Sequence, residues 1–125
     1  MRRLALLAAM LMLTLPAVAA AQSEAVARDG SAYYSNVRVM LGTVEAPHHL
    51  LIAFKAQCRD VRGAELAVSP EAREAVVRLL RGQNAADLAT PEGKERLKAA
   101  LVETLNRVIG SPRVVRVLFL QFLLV

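Results

Sequence analysis

The chain has 125 residues, a formal net charge of +5 and a single cysteine, and 55% of its residues are hydrophobic. This length suits one small domain, and one cysteine excludes a disulfide bond within the chain. The basic residues are scattered among acidic ones, without a basic run or interleaved aromatic residues, so the composition disfavours nucleic-acid binding.

Residues 1–21 have the pattern of a secretory signal peptide. Two arginines follow the initial methionine, and then come an apolar run, a proline and a segment of small residues. Cleavage after Ala19 and cleavage after Ala21 both fit this pattern. The alternative is an uncleaved N-terminal membrane anchor, because the apolar stretch approaches the ~20 residues that a membrane-spanning helix needs. Both interpretations predict export to the periplasm or exterior, and an uncleaved segment would keep the chain anchored in the membrane.

Residues 22–36 are polar and rich in alanine, and we predict a flexible lead-in there to a domain that spans residues 37–125. Strands are predicted at Val37–Leu41 and His49–Arg59, and the two are expected to pair as an antiparallel hairpin. Cys58 lies on the apolar face of the second strand, where a thiol behaves as a small hydrophobe. An intermolecular disulfide or a reactive thiol is the alternative for this residue.

Two helices are predicted next, and each has the same start signal of a capping hydroxyl, a proline and an acid. The first begins after Ser69 and ends at Gly82, and the second begins after Thr90 and runs to Ile109. Gly93 lies inside the second helix, where glycine costs roughly 1 kcal/mol relative to alanine. Either another backbone segment approaches closely at Gly93, or the end of the helix tolerates the glycine.

The segment Arg113–Val125 is predicted to be a strand with apolar residues on both faces. Such a strand should be buried on both faces, yet two helices cover only one side of a small sheet. The predicted fold is therefore α+β, a small sheet of about three to four strands with two helices packed on one face, in the order β-β-α-α-β. Strict alternation gathers Leu118, Leu120, Phe122 and Leu124 on one face. These four residues are the candidate interface with another subunit, and the hairpin folded over them and a membrane surface are the alternatives.

The sequence contains no recognisable catalytic, cofactor-binding or metal-binding constellation. His48 and His49 are adjacent, and adjacent residues of a strand point to opposite faces, so this pair is not expected to bind one metal ion. Glu92 and Glu95 lie one helical turn apart among basic residues, which is typical of a solvated charged face. The sequence therefore predicts a protein that is not an enzyme and that needs no cofactor.

A motif spans the start of the second predicted helix. It consists of Leu88, Thr90, Pro91, Glu92, Gly93, Lys94, Arg96 and Leu97. Asp87 precedes it, Asn106 follows later in the helix, and residues 117–125 form an apolar strand with two phenylalanines. In these residues the chain resembles the FliL family of flagellar basal-body-associated proteins, which end in a helix with the pattern "eGKerL" and a strand of the type "V-x-V-yFteFviQ". The resemblance covers residues 37–125.

The resemblance implies a non-enzymatic periplasmic domain with a fold similar to the stomatin/prohibitin type. Proteins of this family form ring-like homo-oligomers around the stator units and support the motor in motility and chemotaxis. The implied partners are therefore further copies of the chain and flagellar stator or basal-body proteins, with the inner-membrane surface nearby. Family members usually keep an uncleaved transmembrane helix after a short cytoplasmic tail, whereas this chain starts with a signal-like segment. The alternative function is an exported small-ligand or lipid-surface binding domain without a motor role.

Overall fold

The computed structural model describes residues 24–43 and 45–125. In that part of the chain, four strands form one antiparallel sheet in the order β1-β2-β3-β4, and all four helices lie between β3 and β4 in the sequence. The elements are β1 Glu24–Arg28, β2 Ser31–Gly42, β3 Pro47–Cys58, α1 Val61–Ala67, α2 Pro70–Arg81, α3 Ala85–Leu88, α4 Pro91–Ile109 and β4 Val114–Leu124. The predicted α+β class is confirmed. The predicted signal segment, with its cleavage sites at Ala19 and Ala21, lies outside the described residues.

The predicted order β-β-α-α-β lacks one strand at its start, β1, and the two short helices α1 and α3. Strand β1 and the first half of β2 lie in the stretch 22–36, which was expected to be a flexible lead-in. Asp29 and Gly30 join these two strands with φ values of 53° and 76°, the backbone of a tight hairpin turn. Pairing with β2, rather than the weak strand propensity of its alanines, makes β1 a strand. The likeness to the stomatin/prohibitin type stays a prediction.

The two long helices begin and end where the sequence predicted. The side-chain oxygen of Ser69 accepts a hydrogen bond from the backbone three residues ahead in α2 at 3.2 Å, and Thr90 does the same for α4 at 3.0 Å. Each cap is followed by a proline at the first helical position, and caps of this kind contribute about 1 kcal/mol. Gly110 ends α4 in the left-handed conformation, with φ 87°.

One face of the sheet packs against the helices and forms the core. Alternate residues of β2 and β3 are buried there, and the helices contribute the apolar residues of their inner stripes. The central strands supply Ala32, Tyr34, Val37, Val39, Leu41, Leu50, Ile52, Phe54 and Ala56, and the helices supply Ala72, Val76, Leu80, Leu97, Leu101 and Leu105. At the centre, the rings of Tyr34 and Phe54 stack with their centroids 4.6 Å apart.

Strand β4 does not alternate strictly, because its register against β3 shifts twice. Val115 and Leu120 are extra residues without a partner in the ladder, and each such bulge moves the following residues to the opposite face. The helix-facing set is Val114, Val117, Phe119, Phe122 and Leu124, and the opposite set is Arg116, Leu118, Gln121 and Leu123.

The face predicted by alternation is therefore wrong. Phe122 and Leu124 lie on the helix side and are half buried, Leu118 lies on the opposite side, and Leu120 sits at a bulge with 59% exposure. Bulges arise from how the two strands fit together, so the spacing of apolar residues alone does not reveal them.

The hydroxyl of Tyr34 is buried in the core and makes one hydrogen bond within the described residues. It donates a hydrogen bond of 2.7 Å to the carbonyl oxygen of Ala67 at the end of α1. Burial raises the pKa of Tyr34 well above its usual range, and the nearby Arg73 offsets only part of this effect. The hydroxyl therefore stays protonated in the folded protein where an exposed tyrosine would ionise.

We expect Tyr34→Phe to lower the free energy of unfolding by about 1–2 kcal/mol at neutral pH, because the Ala67 carbonyl loses a buried donor. The wild-type protein should also lose stability as the pH rises above about 10, since only the unfolded chain ionises this tyrosine at its usual pKa. Tyr34→Phe should reduce that alkaline loss. Urea unfolding followed by circular dichroism at several pH values measures both effects.

The matched control is Tyr33→Phe, which removes the same atom from a half-buried residue on the opposite face of β2. It should change the neutral-pH stability by less than about 0.5 kcal/mol. An equal loss in both variants would contradict the structural role of the Tyr34 hydroxyl.

Candidate functional site

The residues of the motif at the start of α4 divide between the core and the surface. Leu88 and Leu97 are buried, and so is Gly93, whereas Glu92 and Arg96 are exposed. The buried members form the joint between α3 and α4. The motif is therefore mainly a structural element, and its charged side chains Glu92 and Arg96 are exposed to solvent.

Gly93 lies where the end of α3 meets the first turn of α4. A Cβ atom added to this residue would overlap the carbonyl oxygen of Asp87. Thr90 closes the same joint, because its hydroxyl donates to that carbonyl at 2.7 Å while accepting from the Gly93 N–H at 3.0 Å. The close backbone approach, one of the two alternatives at this position, is confirmed, and only glycine leaves room for it.

The motif helix and the last strand contact each other through two lysines. The ammonium group of Lys94 lies 5.0 Å from the centre of the Phe122 ring, and that of Lys98 lies 5.6 Å from the centre of the Phe119 ring. Both distances are within the range of a cation–π interaction. Lys98 also donates to Glu95 at 2.8 Å. The lysine stems thus cover the half-buried rings on the helix side of β4.

Asn106 joins the other end of α4 to the start of β4. Its side-chain oxygen accepts from the Val114 N–H at 2.8 Å, and its side-chain nitrogen donates to the Val114 carbonyl at 3.1 Å. The amide therefore replaces the ladder partner that a neighbouring strand would give to Val114. This contact fixes the turn at Gly110 between α4 and β4. The spacing of residues in the sequence did not predict it.

The surface of β4 and the uncovered side of the sheet are the best candidates for function. Strand β4 lies at the edge of the described sheet, and an edge strand presents backbone groups that can pair with another chain. On the face opposite the helices, Met40, Leu123 and Val125 are exposed. Groups of exposed apolar residues usually mark sites where a protein binds a partner.

Residues with catalytic potential are dispersed in the described part of the chain. His48 and His49 are both exposed, and their register partners place them on opposite faces of the sheet. Residues 24–43 and 45–125 hold no group of three or more His, Cys, Asp or Glu arranged to bind a metal ion. Burial, and secondarily the nearby Asp60, raise the pKa of the Cys58 thiol, so this cysteine is a poor nucleophile at neutral pH.

We expect Gly93→Ala to lower the free energy of unfolding by about 2–4 kcal/mol, although alanine is the better helix former, because the Asp87 carbonyl must move. Urea unfolding measures this loss. Gly82→Ala is the matched control, since a Cβ at Gly82 meets only ordinary van der Waals contacts. A Gly93→Ala variant as stable as the wild type would contradict the close approach.

Asn106→Ala should cost about 1–3 kcal/mol, because it leaves both backbone groups of Val114 without their side-chain partner. Asn106→Asp should cost about as much, since a carboxylate keeps the acceptor but faces the Val114 carbonyl with a second oxygen. Hydrogen exchange of the Val114 amide is the site-specific measurement, and it should speed up in Asn106→Ala. Unchanged exchange would show that Val114 is held by something else.

None of the helices between residues 24 and 125 has the length and hydropathy that crossing a membrane requires. A search of curated proteins finds no match to the chain. The family model of the flagellar basal body-associated protein FliL matches residues 18–124, which include both the α4 motif and β4. The resemblance carried by the motif is thereby confirmed, and the chain belongs to the FliL family of flagellar basal body-associated proteins.

Proposed function

We propose that this protein is a non-enzymatic, oligomeric domain that supports the stator units of the flagellar motor from the periplasm. The observation that carries the proposal is the family match over nearly the whole chain. The structure supports it with a long apolar edge strand and an uncovered sheet face, both of which suit protein contacts. Such a domain acts through its contacts with other proteins, and through these contacts it would support motility and chemotaxis.

The sheet suits head-to-tail assembly of copies. With four antiparallel strands, the two edge strands β1 and β4 run in opposite directions. A second copy in the same orientation therefore brings its β1 alongside β4 and continues the antiparallel pattern. Contacts between different edges of identical subunits close into rings when the rotation allows it. This geometry is compatible with the proposed ring-like homo-oligomer.

Exposed residues of β4 lie where such a neighbour would sit. Leu120 is 59% exposed at its bulge and Val115 is 55% exposed. Leu118 is half buried on the outer side of the strand. Of the four residues predicted as the interface, Leu118 and Leu120 remain proposed contacts with a second copy, whereas Phe122 and Leu124 support the strand from the helix side.

The proposed location is the periplasm at the inner membrane, next to the basal body. The support for export is the basic, apolar and small-residue pattern of residues 1–21. Cleavage after Ala19 or Ala21 would release the domain, and an uncleaved segment would anchor it. The oligomer would place many copies near the stator in either case.

Deleting the gene should reduce swimming and swarming, most of all in viscous medium, where the motor works under high load. A plasmid copy with Leu120→Asp should fail to restore motility, because a charge at the exposed edge blocks strand pairing between copies. Light scattering after size-exclusion chromatography should show oligomers for the wild-type protein and a smaller species for this variant.

Val61→Asp is the matched control, since Val61 is 62% exposed but lies on helix α1 and not on the edge strand. It should restore motility fully. A deletion strain that swims and swarms normally under viscous load would show the motor role to be wrong. A strict monomer that binds liposomes would instead favour the lipid-surface binding domain.

A further inference from the structure

We propose that the face of the sheet opposite the helices, here called the outer face, binds an acidic amphipathic helix of a partner protein. The inference rests on the proposed function in one respect, because it assigns the kind of partner to a domain that works through protein contacts. Its residues follow from the strand register. They include Glu24, Val26, Arg28, Ser31, Tyr33, Ser35, Arg38, Met40, His49, Leu51, Ala53, Lys55, Gln57, Arg116, Leu118, Gln121, Leu123 and Val125.

The outer face carries an excess of positive charge. Arg28, Arg38, Lys55 and Arg116 lie on it, and the single acidic side chain among these residues is that of Glu24 at the start of β1. Arg116 also donates a hydrogen bond to the neutral side chain of Gln57 at 2.6 Å. The ion pairs within residues 24–43 and 45–125 involve none of the four cations. Four unpaired cations on one face favour a partner that brings carboxylates.

Two of these cations share one aromatic ring. The guanidinium carbon of Arg28 lies 5.1 Å from the centre of the Tyr33 ring, and the ammonium nitrogen of Lys55 lies 5.6 Å from it. The ring stabilises each cation and keeps it on the face, but the two like charges repel each other. An acidic side chain placed beside Tyr33 would relieve that repulsion.

Apolar side chains occupy the other end of the outer face. Met40, Leu123 and Val125 are 58%, 49% and 69% exposed. A cavity of about 400 Å³ lies among them. It is lined on this face by Arg38, Met40, His49, Leu51, Leu123 and Val125. A recess of this size accepts one or two large apolar side chains with a cation at its rim.

A helix fits this face better than a strand does. Strand β3 pairs with both β2 and β4, and β2 pairs with both β1 and β3 over residues 31–34, so an added chain contacts side chains there. Strands add at sheet edges, whereas helices pack on sheet faces. The distance from His49 to Gln57 along β3 is about 26 Å at ~3.3 Å per residue, which a helix of about 18 residues spans.

A second copy of the chain does not offer the required surface. Of the five acids of α2 and α4, Glu74, Glu95 and Glu103 are each paired with a base of their own helix. The other two, Glu71 and Glu92, lie in the first turns of the helices, where the helix dipole already stabilises their charge. Two outer faces would also repel each other. An anionic membrane offers negative charge, but the exposed apolar side chains here surround a recess rather than protrude as a membrane-inserting tip. A separate acidic protein segment is therefore the favoured occupant.

The test uses a fluorescent peptide of about 18 residues with leucines at helical spacing i, i+3, i+4 and i+7 and glutamates on the flanks. Anisotropy titration with the oligomeric wild-type protein should show saturable binding that weakens as salt rises. The double variant Arg38→Glu, Lys55→Glu should bind at least about tenfold more weakly, and Leu123→Ser should also weaken binding. A peptide with lysines in place of the glutamates should not bind.

The matched control is Arg78→Glu, Arg107→Glu, which makes the same charge change on exposed residues of the two helices and should leave binding unchanged. Circular dichroism confirms that each variant folds. Failure of the glutamate peptide to bind, equal binding by both double variants, or binding to phosphatidylglycerol vesicles in place of the peptide would overturn the inference. Leu120→Asp, which is expected to disrupt the proposed oligomer, should leave peptide binding intact. The proposed oligomer and the proposed peptide site can therefore be disproved independently of each other.

Discussion

The position of α4 depends on one backbone carbonyl oxygen, which packs so closely against the first turn of the helix that no side chain fits between them. The Asp87 carbonyl fills the space that a Cβ at position 93 would occupy, and the Thr90 hydroxyl closes the joint by bonding to both segments. At the far end of the helix, the Asn106 amide holds both backbone groups of Val114. Because both ends are fixed, the angle of α4 across the sheet and the starting point of β4 are fixed as well.

That placement decides which surfaces remain for binding. Lys94 and Lys98 cover the aromatic rings on the helix side of β4, so this strand is shielded on one face and open at its edge and on its outer face. The helices lie on the other side of the sheet and leave the outer cations unpaired. The chain thus leaves two distinct surfaces open, the edge of β4 and the outer face of the sheet.

Local signals predicted the parts that depend on neighbouring residues. The hydroxyl, proline and acid at Ser69 and Thr90 predicted both long helices, since capping is settled within four residues of sequence. The alternation of apolar and polar residues in β3 predicted which of its faces is buried, since this pattern is also local in the sequence. Strand β1 and the faces of β4 were missed, because pairing partners and bulges depend on residues far away in the chain. The motif at Gly93 identified the family, but its spacing could not show which backbone atom requires the glycine.

The sequence by itself determined the α+β class, the two capped helices, the family and the lack of a recognisable catalytic motif. The fold class and the helices follow from short-range patterns of capping and periodicity, whereas the family was identified from the resemblance of the α4 motif and the last strand. Only the tertiary structure decided that Phe122 and Leu124 face the helices while Leu118 and Leu123 face outward. It also decided that the basic residues of four separate strands lie on one face. The physical reason is that register and bulges are set by the fit between strands, and one extra residue reverses every face that follows it.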